Sequence, residues 1–174
     1  MNGNLSKSLA TLLVVAGLIA ALTGQGATES IWSEDKRFKD NGDRTVTDTQ
    51  TGLMWMQADS YIQAGSWLTW FEAIKFIAQL NGEGFTDYHD WRAPTVKELQ
   101  SLYEAEKVNS KQVGREMTIH IDPIFTKDGS GSLWSGEENG NYNAFGVVLN
   151  TGQRFSSSKK SKSRRAIRAV RYTN

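Results

Sequence analysis

The sequence predicts an α+β domain, and three observations predict it. Two capping boxes, Thr69 with Glu72 and Thr95 with Glu98, each open an apolar stripe at helical spacing. Short β-prone runs separated by Asn-Gly and Thr-Gly turns precede them. Arg165 to Tyr172 alternates Ala166, Arg168, Val170 and Tyr172 with Ile167, Ala169 and Arg171, as a strand does. The expected outline is an N-terminal β-meander, two short helices and a C-terminal antiparallel sheet.

The first segment is not part of that domain. Lys7 precedes the uncharged run Leu9–Leu22, and small residues follow through Ala27, the layout of a signal peptide over residues 1–26. Fourteen apolar residues fall short of the roughly 20 that span a bilayer, so an uncleaved anchor is the lesser reading. No membrane span is expected after its removal. The chain has no cysteine, which excludes disulfides, thiolate metal sites and a lipid-modified N-terminal cysteine. About 150 residues remain, enough for one domain: a lead-in over 27–36, then 37–174. Six tryptophans supply aromatic area to bury in place of crosslinks.

From Arg37 to Asp48, Asn41-Gly42 marks a type I′ hairpin, and Thr49 to Gly52 leads to a third strand at Leu53–Met56. Residues 57–68 read as a loop. The first helix runs from the Thr69 cap through Leu80, carrying Trp70, Ala73, Ile74, Ile77 and Leu80 on one face, and Asn81-Gly82 ends it. Pro94 separates an extended Asp90-Trp91-Arg92 from the second helix, which continues to about Glu106. Residues 107–132 are polar around Ile119, Ile121, Ile124 and Phe125. Strands at Leu133–Ser135, Ala144–Leu149, Gln153–Ser156 and Arg165–Tyr172 complete the sheet.

Charge is divided unevenly. Residues 27–153 hold 11 Lys/Arg against 19 Asp/Glu, a net of −8, whereas Arg154 to Arg171 hold eight basic residues and no acid. Lys159, Lys160, Lys162, Arg164 and Arg165 crowd into seven positions. Such a run suits sulfated or phosphorylated polyanions; it is equally the composition of a solvated loop that balances the acidic remainder. Asp40, Asp43 and Asp48 offer oxygen ligands to a hard cation, yet a tight turn uses the same residues. His89 and His120 sit in no metal or nucleophile motif, and Glu98 and Asp90 have capping and loop-end roles, so no catalysis and no cofactor is expected.

In order, these pieces resemble the Lcl C-terminal domain family. They are Arg37-Phe38, Asp40-Asn41-Gly42-Asp43, Thr45 to Asp48, Thr51 to Trp55, Thr69-Trp70 with Ala73 and Leu80, and Asp90-Trp91-Arg92-x-Pro94-Thr95 with Glu98-Leu99. Ile121-Asp122-Pro123 with Phe125, Trp134-Ser135, Gly152 and Arg168 to Arg171 complete the set. The family often carries cysteine where Ile77 and Ala169 stand, so the resemblance implies a disulfide that this chain lacks. It commonly has glycine in place of Arg44 and leucine in place of Ala93. The Trp-Arg-x-Pro-Thr stretch is also similar to formylglycine-generating and sulfatase-modifying domains, which implies a C-type-lectin-like fold without their cysteine-dependent chemistry. By resemblance, the expected function is an exported, non-enzymatic module for sulfated glycans or cell-surface material, bound through the basic segment. The alternative is a subunit of an envelope complex, as a homo-oligomer or with an envelope protein, whose oppositely charged parts pair between protomers. No specific nucleic-acid partner is expected.

Overall fold

The computed structural model describes residues 30–173; the expected signal peptide lies outside them. Among the described residues the architecture is α+β, with antiparallel sheets and a few short helices. Strands β1 (Phe38–Asp40), β2 (Thr45–Asp48) and β3 (Leu53–Met56) form the expected meander. The hairpin between β1 and β2 differs from the expected two-residue turn. Gly42 and Arg44, rather than Asn41 and Gly42, take positive φ, and Asn41 N–H donates to the Thr45 carbonyl. The loop's own acids fix it. Asp40 accepts from Gly42 N–H, and Asp43 accepts from Thr45 N–H. A side chain in the left-handed region costs about 1 kcal/mol that glycine would not, and Arg44 carries that strain.

The expected loop at 57–68 contains a one-turn helix, α1 (Ser60–Ala64), capped by Asp59, whose carboxylate accepts from Tyr61 and Ile62 N–H. Helix α2 (Trp70–Glu83) opens on its capping box and passes Asn81-Gly82. It stops at Gly84, whose left-handed backbone lets its N–H reach the Asn81 and Leu80 carbonyls. A 3₁₀ turn (Phe85–Asp87) follows. Helix α3 (Val96–Ser101) is shorter than expected. Leu102 is pulled into the core, and Glu104 N–H donates to the His120 carbonyl instead of continuing the helix. The polar stretch after it folds as a small hairpin, β4 (Ser110–Lys111) with β5 (Thr118–Ile119).

Strands β6 (Ser132–Asn139), β7 (Asn143–Val148) and β8 (Gln153–Ser158) form the C-terminal sheet, with a register shift between Trp134 and Glu138. The last strand does not join it as expected. Only Val170–Tyr172 forms a strand, β9, and it pairs with β3 to complete the meander sheet as β1-β2-β3-β9. Residues 166–169 run between the two sheets. Trp134 N–H donates to the Ala166 carbonyl, Ala166 N–H to Ser132, Ser60 N–H to Ile167 and Met56 N–H to Ala169. This strap is buried throughout, so it has no solvent face to alternate with.

Its alternation instead divides two cores. Ala166 and Val170 pack with Leu53, Trp55, Leu133, Val147, the α3 residues Val96 and Leu99, and Leu102 just past its end. Ile167 and Ala169 pack with Met54, Met56, Trp134 and the α2 residues Trp70, Ala73, Ile77 and Leu80. Thus α2 covers one face of the strand layer and α3 the other. Burying the four α2 side chains contributes roughly 6–8 kcal/mol. Ile77 and Ala169, the positions at which the resemblance implies a disulfide, share one core cluster and fill it with apolar side chains. Of the six tryptophans, Trp55, Trp70, Trp91 and Trp134 are buried.

Candidate functional site

The basic segment leaves β8 at Ser158 and forms a loop clipped to the first turn of α2. Trp70 N–H donates to the Lys159 carbonyl at 3.0 Å, and Leu68 N–H donates to the Arg165 carbonyl at 2.8 Å. The loop does not present its five candidate residues alike. Lys159 points inward and is only 5% exposed. Its ammonium donates to the Glu138 carboxylate and to the carbonyls of Gly140 and Asn141, and lies 5.1 Å from the Trp70 ring centre. Its backbone N–H donates to the Tyr142 carbonyl. Lys159 therefore fastens the β6–β7 turn to α2, a role that leaves no donor for an external anion. Arg165 is half-buried. Its guanidinium lies 4.9 Å from both the Trp134 and Phe155 ring centres and donates to Ser161 Oγ. Burial pushes its pKa below the usual arginine range.

Lys160 and Lys162 remain exposed, and Arg164 is half-buried as Arg165 is. Lys162 reaches Glu72 at 2.9 Å, an exposed pair that water and salt screen. Two exposed aromatic residues accompany the loop: Phe71, beside Trp70 on α2, is 53% exposed, and Tyr142, whose carbonyl Lys159 holds, is 83% exposed. Lysine and arginine interleaved with exposed rings offer charge for an anionic group and apolar faces for the carbon skeleton that carries it. Sequence reading missed both rings. Neither Phe71 nor Tyr142 lies in the charge run that drew the reading.

Glu72 serves the helix and the loop at once. Its carboxylate accepts from the Thr69 N–H, within the capping box, and from Lys162, and these bonds lower its pKa from 4.5 to about 2. A carboxyl harder to protonate in the fold than in the unfolded chain stabilises the fold above the unfolded value. That stabilisation is complete above about pH 4.5 and fades as pH falls toward 2. Carboxyl NMR on the intact protein should place the Glu72 midpoint near 2, and Lys162→Ala should raise it; an ordinary midpoint in the wild type would refute the arrangement.

The other candidates resolve into structural ties. Arg92 makes a two-point pair with Glu98, at 2.8 and 2.6 Å, the acid of the α3 capping box. Arg171 pairs with Asp90 at 2.6 and 3.1 Å. Arg168 is buried, donates to the Met56 and Gln57 carbonyls and sits 4.0 Å from Asp59; burial pushes its pKa down to about 10, still charged at neutral pH. Glu137 accepts from the Val96 N–H at the start of α3. His89 and His120 each set Nδ1 against a backbone carbonyl, of Asn81 and Lys107. No group of three or more His, Asp or Glu gathers as a metal site among the described residues.

The family model of the Lcl C-terminal domain matches residues 44–171, from the end of the first hairpin to β9. The chain belongs to the Lcl C-terminal domain family. The match takes in both capping boxes, the strap and the basic loop. No curated protein matches the chain. Lcl C-terminal domain membership points to a surface-associated domain. Among the described residues no helix is long and apolar enough to cross a membrane.

Proposed function

We propose that this Lcl C-terminal domain is an exported, non-enzymatic binding module that takes polyanionic, sulfated glycans through its basic loop. One observation carries the reading. After Lys159 and Arg165 are drawn into the fold, Lys160 and Lys162 still face solvent, with Arg164 half-buried beside them, on a loop anchored at both ends and accompanied by Phe71 and Tyr142. A loop fixed in this way loses little entropy on binding.

The test is retention on immobilised heparin. The triple variant Lys160→Ala, Lys162→Ala and Arg164→Ala removes two exposed cations and one half-buried one, contacts of about 0.5 kcal/mol each, so affinity should fall about tenfold with no loss of fold. Lys159 stays in place because its removal would loosen the β6–β7 turn. Wild-type protein that passes through unretained, or a triple variant retained as well as wild type, would refute the assignment. A second reading has its own observation: Lys159 and Lys162 already pair with acids of the same chain. Charge pairing of that kind, extended between protomers, would make the domain a subunit of a surface assembly. Salt-sensitive self-association without heparin retention would favour it.

A further inference from the structure

Arg44 stands apart from the charged ties. Its guanidinium lies 4.6 Å from the Phe85 ring centre, and no carboxylate among the described residues comes within ion-pair reach of it. It is exposed, on a left-handed backbone that glycine would occupy without strain. Two surface cavities adjoin it, of about 340 and 250 Å³, and Arg44 and Gln63 line both. Gln57, Ala58 and Thr126 complete the larger cavity, which no acid lines. The smaller is walled by Phe76, Leu80 and Phe85 and also takes in Glu83, whose carboxylate accepts from Gln79 Nε2 at 2.8 Å. Gln57 donates through Nε2 to Asp40 and to the Ile124 carbonyl, which orients its amide.

The chemistry of this cleft differs from that of the basic loop. One guanidinium, packed against a ring, can offer two parallel N–H groups that match a single carboxylate. Neutral amides and a hydroxyl beside it in the larger cavity match hydroxyl groups, and its volume, at the small end of the range for ligand pockets, suits a single sugar unit. A lysine-rich surface reads charge density; this cleft reads one carboxylate on a hydroxylated skeleton. We propose that the Arg44 cleft binds a sugar acid, with the carboxylate on the Arg44 guanidinium and the hydroxyl groups on Gln57, Gln63 and Thr126. The site is independent of the basic loop and stands or falls separately from it.

Arg44→Gly is an informative variant because it relieves the backbone while removing the ligand's partner. Amide NMR of the intact domain, titrated with D-glucuronate, should show saturable shifts at Arg44, Gln57, Gln63 and Thr126. D-glucose and acetate at equal concentration should not reproduce them. In Arg44→Gly the response should weaken at least tenfold while the melting temperature holds or rises, and Arg44→Lys should retain only part of the binding. The Lys160, Lys162, Arg164 triple variant should bind glucuronate as wild type does. Absence of saturable shifts, an equal response to acetate, or undiminished binding by Arg44→Gly would overturn the proposal.

Discussion

Asp59→Ala is expected to lower unfolding stability by about 3–5 kcal/mol, the range for breaking a buried charge pair from one side. Asp59 is fully buried and serves three partners. One carboxylate oxygen caps α1, and the other accepts from Ser130 N–H at 2.7 Å and faces Arg168 at 4.0 Å. Alanine removes the cap, frees the Ser130 loop and leaves the Arg168 guanidinium buried with only carbonyl acceptors. Arg168 Nε already lacks a partner, so no spare hydrogen bond can compensate. In a domain of this size the melting temperature should fall by about 10 °C. Urea denaturation of Asp59→Ala decides the matter, and a loss under 1 kcal/mol would refute the role. Asp59→Leu combined with Arg168→Met should recover much of the loss, because an apolar pair leaves no charge behind.

Gly146→Ala is expected to cost about 3 kcal/mol, near the top of the range for overpacking. Gly146 pairs with Trp134 on β6 and Phe155 on β8. A β-carbon there would lie 2.3 Å from the Leu133 carbonyl oxygen and 2.4 Å from Phe155 Cζ. The ring can turn aside, but the carbonyl belongs to the ladder and cannot. Denaturation midpoints should show the loss. Near-wild-type stability would mean that β6 and β7 separate more freely than their pairing implies.

What the sequence revealed follows the range of the interactions. The two capping boxes are legible because donor and acceptor lie three residues apart, and both helices begin at them. Helix α1 escapes notice because five residues are too few to show a period, and its Asp59 cap lacks the glutamate that completes a box. The alternation of residues 166–172 is correct as read, but its partner is not: sequence cannot say that β9 pairs with β3 rather than with β8. The candidate site was legible as a charge run and no further. Lys159 and Lys160 look alike in sequence, and only Glu138, Trp70 and the β6–β7 turn, all distant along the chain, turn one inward and leave the other outside. Arg44 gives a partial signal: the glycine that the family commonly has there fits the positive φ, but nothing local marks the cavities beside it.

The strap that parts the two cores also sets when the molecule can fold. Leu53 finds its β9 neighbour, Tyr172, only after almost the whole intervening chain has been made. Both cores need residues 166–170, so neither closes on a growing polypeptide that stops short of them. Contacts this distant in sequence make folding slow and late. The nascent chain stays open and pliable until its last strand is available.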